Sequence, residues 1–200
     1  MSARYRPGVP DLVCLGSSTG GPGVLANILT GLGPSPPFTI VIAQHYDRRF
    51  MQSFCAWLDS VAPMPVSLAR DGETPAAGRA YLADANHELS MHTDGVFRCL
   101  PVSDDAVLLP CVDQILATAV HWPARLAAAV LTGMGKDGAE GLCAVRAAGG
   151  HTIAQDEQSS IVYGMPRAAA KGGGVIEILP ADEIAVALLR WAGAGPARRR

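Results

Sequence analysis

Two apolar runs, LVCLG (12–16) and FTIVIAQ (38–44), are too continuous for strands with one wet face. Each is followed by a loop of small or polar residues and then by a segment with helical spacing. GPGVLANILTGL (21–32) places Val24, Leu25, Ile28 and Leu32 on one stripe, and MQSFCAWLDSV (51–61) repeats that character. Buried strands alternating with helices require a parallel sheet covered on both faces. The pattern continues through MPVSLA (64–69) as a strand and CVDQILATAVHW (111–122) as a helix. LAAAVLTG (126–133) is a strand, MGKDG a loop and AEGLCAVRAAG a helix. The chain then gives HTIAQD (151–156), a short helix from MPRAAA, the strand GVIEILP (174–180) and a last helix, DEIAVALLRWAG. Between these halves, RAYLADA and HELSMHTDGVFRCL read as locally antiparallel, with a hairpin turn at Asp94-Gly95. The expected class is α/β: a doubly wound, mostly parallel sheet with helices on both faces and an antiparallel hairpin insertion.

Composition narrows the function classes. At 200 residues and 49% apolar, the chain fills one core and leaves little for a second. The formal charge of −2 supplies no basic field for nucleic acid, and the one like-charge run, Arg198-Arg199-Arg200, reads as a solvated tail. Cys14, Cys55, Cys99, Cys111 and Cys143 are scattered and form no C-x-x-C pair, so reduced, mostly buried thiols are expected. MSARYRPGVP lacks the apolar core of a signal peptide, and no run approaches the roughly 18 residues of a membrane span. A cytoplasmic protein with no direct membrane insertion follows. His87 and His92 could suggest a metal, but strand periodicity puts them on opposite faces, and no cofactor is expected.

The first loop admits several chemistries. Gly21-Pro-Gly23-Val-Leu-Ala26 formally fits a dinucleotide fingerprint, yet proline fills its middle position and Gln44-His45 ends the second strand where an acidic residue should stand. No Lys-Ser or Lys-Thr follows the glycines, which excludes a Walker loop. Gly16-Ser17-Ser18-Thr19-Gly20 fits G-x-S-x-G, with Ser18 on a sharp strand-to-helix turn. The competing reading is that Ser17, Ser18 and Thr19 only cap the next helix. A serine nucleophile needs a base and an orienting carboxylate. His45 follows the second strand and Asp137 follows the strand at 126–133, so both belong at the same end of the sheet as Ser18. Asp137 has its own alternative as a helix N-cap.

Five motifs in order carry a resemblance: GSSTGGPGVL, IVIAQHYDRRFMQSFCAWL, ARDGETPAAGRAYLADANHELSM, AVLTGMGKDGAEGL and TIAQDEQSSIVYGMPRAA. With them the chain resembles the catalytic domain of the CheB family of chemotaxis protein-glutamate methylesterases, from about Asp11 to about Trp191, which implies a catalytic domain of residues 11–193. The resemblance implies a Ser18, His45, Asp137 triad, with Thr19 and Met134 shaping the oxyanion site, Met134 through its main chain. It implies hydrolysis of glutamate γ-methyl esters with release of methanol, and in many family members deamidation of glutamine. The implied partner is the cytoplasmic helical bundle of a methyl-accepting chemoreceptor.

The same likeness frames the expected departures. Residues 1–10 read as an N-terminal extension and 194–200 as a flexible basic tail. Seventeen residues before Ser18 are too few for the receiver domain common in the family, so control by a separate regulatory partner is one expectation. Where family members carry basic residues before the helix at 111, this chain has LLPCVD (108–113). Lys136 and Arg48-Arg49 are alternative sources of positive charge. Two other functions stay open: a serine esterase or amidase of the same fold acting on a non-receptor substrate, and a non-catalytic nucleotide-binding module.

Overall fold

The computed structural model describes residues 6–102 and 110–194, so Arg198–Arg200, Leu108 and Leu109 lie outside it, as does part of the expected N-terminal extension. β1 (Asp11–Ser17) and β2 (Phe38–Gln44) are buried at every position and pair in parallel from Asp11↔Phe38 to Ser17↔Gln44. α1 (Gly21–Leu32) joins them, and a 3-10 turn at Arg48–Phe50 leads into α2 (Met51–Val61). There follow β3 (Val66–Leu68), β4 (Ala80–Leu82), the pair β5 (His87–Met91) and β6 (Phe97–Pro101), and α3 (Val112–Ala119). The chain closes with β7 (Leu126–Val130), α4 (Ala139–Ala147), β8 (His151–Gln155), α5 (Met165–Lys171), β9 (Glu177–Leu179) and α6 (Ala181–Gly193).

Seven strands form one parallel sheet in the order β3-β4-β2-β1-β7-β8-β9, and β5-β6 form a separate antiparallel pair. Side chains of the central strands alternate between two cores. Val13, Leu15, Ile40, Ile42, Ala127 and Ala129 face α1, α2 and α6. Leu12, Cys14, Val41, Ala43, Ala128 and Val130 face α3, α4, α5 and the hairpin residues Leu89, Met91 and Phe97. Each fully buried Leu, Ile or Val contributes about 1.5–3 kcal/mol relative to exposure, so both cores must close for the sheet to persist. The doubly wound class is therefore as the alternation of strands and helices required.

One expectation is corrected. RAYLADA is not antiparallel: its residues 80–82 form β4, inserted in parallel between β3 and β2. Ala80, Tyr81 and Leu82 are all buried, and a strand of three residues has too few side chains to display a period. The hairpin at Asp94-Gly95 stands, with Gly95 at φ 78°. The expected helix 111–122 ends at Ala119, and the expected strand 174–180 shortens to three residues on the sheet edge.

The strand order reverses at β1, since the chain builds outward to β2 on one side and returns to β7 on the other. The carboxyl ends of β2, β1 and β7 thus flank the crevice where open parallel sheets hold their functional residues.

Candidate active site

Ser18 leaves the end of β1 in a turn bonded on both sides. Its N–H donates to Thr132 O at 3.0 Å, and its carbonyl accepts from Gly21 N–H at 2.8 Å. Helix capping does not account for it, because the N-cap of α1 is Gly20 and no side chain caps the helix. Gly20 sits at φ 83°, and a Cβ there would lie 2.8 Å from Ile161 Cβ, so only glycine turns the chain this sharply. Gly133 packs equally close from the β7 side: a Cβ on it would stand 2.7 Å from Ser18 Cβ. The dinucleotide fingerprint loses its basis too, since Gly21 and Gly23 lie inside α1 and not in a loop before it.

His45 follows β2 directly, its N–H donating to Ser17 O at 2.9 Å, which fastens it beside the Ser18 turn. Its Nε2 lies 2.7 Å from Asp137 Oδ2, with the two side chains only 9% and 10% exposed. Asp137 does not cap the helix that follows it, whose N-cap is Gly138 with no side-chain bond. It reaches instead to the start of α3, where Oδ2 accepts from Val112 N–H and Oδ1 from Asp113 N–H, both at 2.8 Å. Cys111 Sγ lies 3.7 Å from Oδ1. Burial raises the Asp137 pKa, but the His45 hydrogen bond, the two amides and the nearby imidazole outweigh it and hold the group at about 2. An ionised carboxylate can only accept, so Nε2 carries the proton and Nδ1 is the nitrogen left to act as a base.

Asp113 returns the bond. From the first turn of α3 its Oδ1 accepts from Gly141 N–H at 2.7 Å in the first turn of α4, so each aspartate anchors the start of the other's helix. Burial, together with the neighbouring Asp137 charge, raises the Asp113 pKa. The approach depends on Val112, whose methyls occupy the space that side chains at Gly16 and Gly138 would need. Asp113 and the buried Gln44 both lie in stretches quoted from the sequence, LLPCVD and IVIAQHYDRRF, but neither residue type nor spacing gives either a role there. The only available signal is position, one residue past the start of a helix and one before the histidine.

The other expected residues are distributed around this core. Thr19 is exposed, with its carbonyl accepting from Thr132 Oγ1 at 2.9 Å. Met134 follows Gly133 with a side chain 73% exposed. His87 and His92 separate, the first 3.1 Å from Asp84 and the second 3.4 Å from Ser90. Cys14 and Cys55 are buried, while Cys99, Cys111 and Cys143 are only half-buried, so the thiols are less enclosed than expected. Lys136 is exposed in the loop before Asp137, and Asp47 forms an ion pair with Arg49. No described helix is long and apolar enough to cross a membrane.

Comparison with known proteins gives a consistent result. Residues 13–188 match the family model described as CheB methylesterase. A protein-glutamate methylesterase/protein-glutamine glutaminase 2 of Cupriavidus metallidurans is 43% identical over 195 residues, covering 97% of this chain and 58% of its own length. A third such protein of Pseudomonas syringae is 42% identical over 179 residues, 89% of this chain and 53% of that one. The chain therefore spans just over half the length of the curated relatives it matches. The crystal structure of the Thermotoga maritima CheB methylesterase catalytic domain superposes with a TM-score of 0.81 at 34% identity, covering 90% of this chain and 97% of that one.

Proposed function

The chain belongs to the CheB methylesterase family, and from that premise we propose that it is a serine hydrolase acting on glutamate γ-methyl esters of chemoreceptors. Ser18 is the nucleophile, His45 the base and Asp137 the orienting carboxylate. The observation that carries the assignment is the 2.7 Å contact between His45 Nε2 and Asp137 Oδ2 beside the Ser18 turn. It leaves Nδ1 to take the Ser18 proton as Oγ attacks the γ-carbonyl, and to return that proton to departing methanol. A glutamyl ester of Ser18 results. Water activated by the same nitrogen then adds to the ester carbonyl, and the glutamate side chain leaves as Ser18 recovers its proton.

Two tetrahedral oxyanions form in this sequence. Main-chain N–H groups at Thr19 and Met134, with the start of α1 behind them, are the proposed donors, and loss of one such donor typically costs about 3 kcal/mol of transition-state stabilisation. A primary amide presents the same carbonyl with ammonia as the leaving group, so glutamine deamidation belongs to the same site. The proposed partner is the cytoplasmic helical bundle of a methyl-accepting receptor, which sets the enzyme in the cytoplasm. Residues 11–193 form the catalytic unit, and a separate regulatory partner is the proposed means of control.

Receptor fragments carrying radiolabelled methyl esters test this directly. Release of volatile methanol by the intact chain, lost in Ser18→Ala and His45→Ala, is the expected result. Hydrolysis of small esters with no release from methylated receptor would move the assignment to another substrate of the same triad.

A further inference from the structure

Gln44 closes β2 with 1% of its surface exposed, and its side chain turns inward between the ends of β1 and β2. Ser17 Oγ–H donates to its Oε1 at 2.7 Å. Its Nε2 donates one hydrogen to Ser18 O at 2.9 Å and the other to His45 O at 2.8 Å. One amide group therefore holds the carbonyls of the nucleophile and the base on a single nitrogen. The amide has one workable orientation, because reversing it would set Oε1 against two carbonyl oxygens that cannot donate. Gly21 completes the enclosure, since a Cβ there would overlap Oε1.

The peptide joining Ser18 to Thr19 is planar and trans, so its C=O and N–H point in opposite directions. With Ser18 O drawn inward by Gln44 Nε2 and Gly21 N–H, the Thr19 N–H is turned away from the buried clamp. Rotation of that plane would withdraw the donor from the oxyanion and move Ser18 relative to His45. We infer that Gln44 is a positioning residue for the reaction, fixing the Ser18–Thr19 peptide plane and the Ser18–His45 spacing through one buried amide. This rests on the assignment of Ser18 as nucleophile and deepens it. The bland account, that Gln44 merely satisfies buried carbonyls for stability, predicts an effect on folding alone.

A fluorophosphonate probe separates the two, because it needs no receptor: Ser18 Oγ bonds to phosphorus, fluoride leaves, and the serine proton passes to His45. In the full-length chain, Gln44→Met keeps the shape and removes all three bonds. The limiting labelling rate at Ser18, measured on the folded fraction, is expected to fall about 100-fold with the half-saturating probe concentration unchanged. Ser17→Ala releases only Oε1 and is expected to fall about 10-fold, and it decides the matter if Gln44→Met does not fold. A wild-type limiting rate in either folded variant, with only the melting temperature lowered, overturns the inference. Wild-type protein that takes no label at Ser18 removes the nucleophile assignment itself, and the inference falls with it.

Discussion

Two aspartates lie at opposite ends of the central strands. Asp11 begins β1 and meets Arg125 at 2.7 Å with its side chain 5% exposed. Asp137 follows β7 and meets His45 at the same 2.7 Å with its side chain 10% exposed. Distance and burial barely distinguish them, so the difference in role comes from the partners. Arg125 spends its remaining donors on the carbonyls of Trp191 and Ala192 and stacks on the Trp191 ring at 4.9 Å. The partner of Asp137 is an imidazole, which holds one ring nitrogen toward the carboxylate and keeps the other free of it. The Asp11 pair is closed on every side by the fold, whereas the Asp137 pair leaves a ring nitrogen of His45 for the proposed chemistry.

That contrast can be broken most severely at the crevice. Asp137→Asn keeps one acceptor oxygen, enough for Val112 or Asp113 but not both, and removes the charge that selects the His45 tautomer, and kcat for ester hydrolysis is expected to fall by about 10³–10⁴. A fall below tenfold, in methanol-release kinetics, would show that the carboxylate is structural after all. The converse test is Arg125→Met. Stranding a buried carboxylate costs about 3 kcal/mol, at the lower end of the usual range because Arg125 is partly exposed. Urea unfolding should show that loss while turnover per folded molecule stays unchanged.

The smallest effect sharpens the comparison through pH. The Asp137 pKa is about 2 in the folded protein against an ordinary 3.8, so its ionised form adds about 2 kcal/mol of stability. A depressed carboxyl pKa gives stability that is full above about pH 4 and lost as pH falls toward 2. The stability gap between wild type and Asp137→Asn should accordingly be widest at neutral pH and narrow through that window to the part left by the amide that asparagine cannot accept. A gap of constant size from pH 7 to pH 2 would assign it to geometry and not to charge.

Much of this was legible before the fold was known, for particular physical reasons. The runs at 12–16 and 38–44 read correctly because a strand buried on both faces shows no alternation of polar and apolar residues, with only Thr39 and Gln44 polar in the second, and Ser18, His45 and Asp137 were visible because each follows such a run. The residues that hold them were not. Asp113 acts on α4 across a helix pair, and Gln44, though inside the IVIAQHYDRRF motif, acts on carbonyls, which every residue has and side-chain type does not reveal. β4 escaped for a related reason: three buried residues look alike in either direction, and only the pairing of Ala80 with Val66 and Ile40 fixes it.

The placement of β7 against β1, on the side away from β2, has a consequence for biosynthesis. Ser18 and His45 are neighbours as soon as β1 and β2 pair, but Asp137 is 92 residues beyond His45 and its amide anchors, Val112 and Asp113, come late as well. A nascent chain that has folded only its first half carries a serine and a histidine with nothing to orient them. On the proposed triad, hydrolytic competence arrives only with the second half, when the return strand docks, and the first half alone is silent on the ribosome.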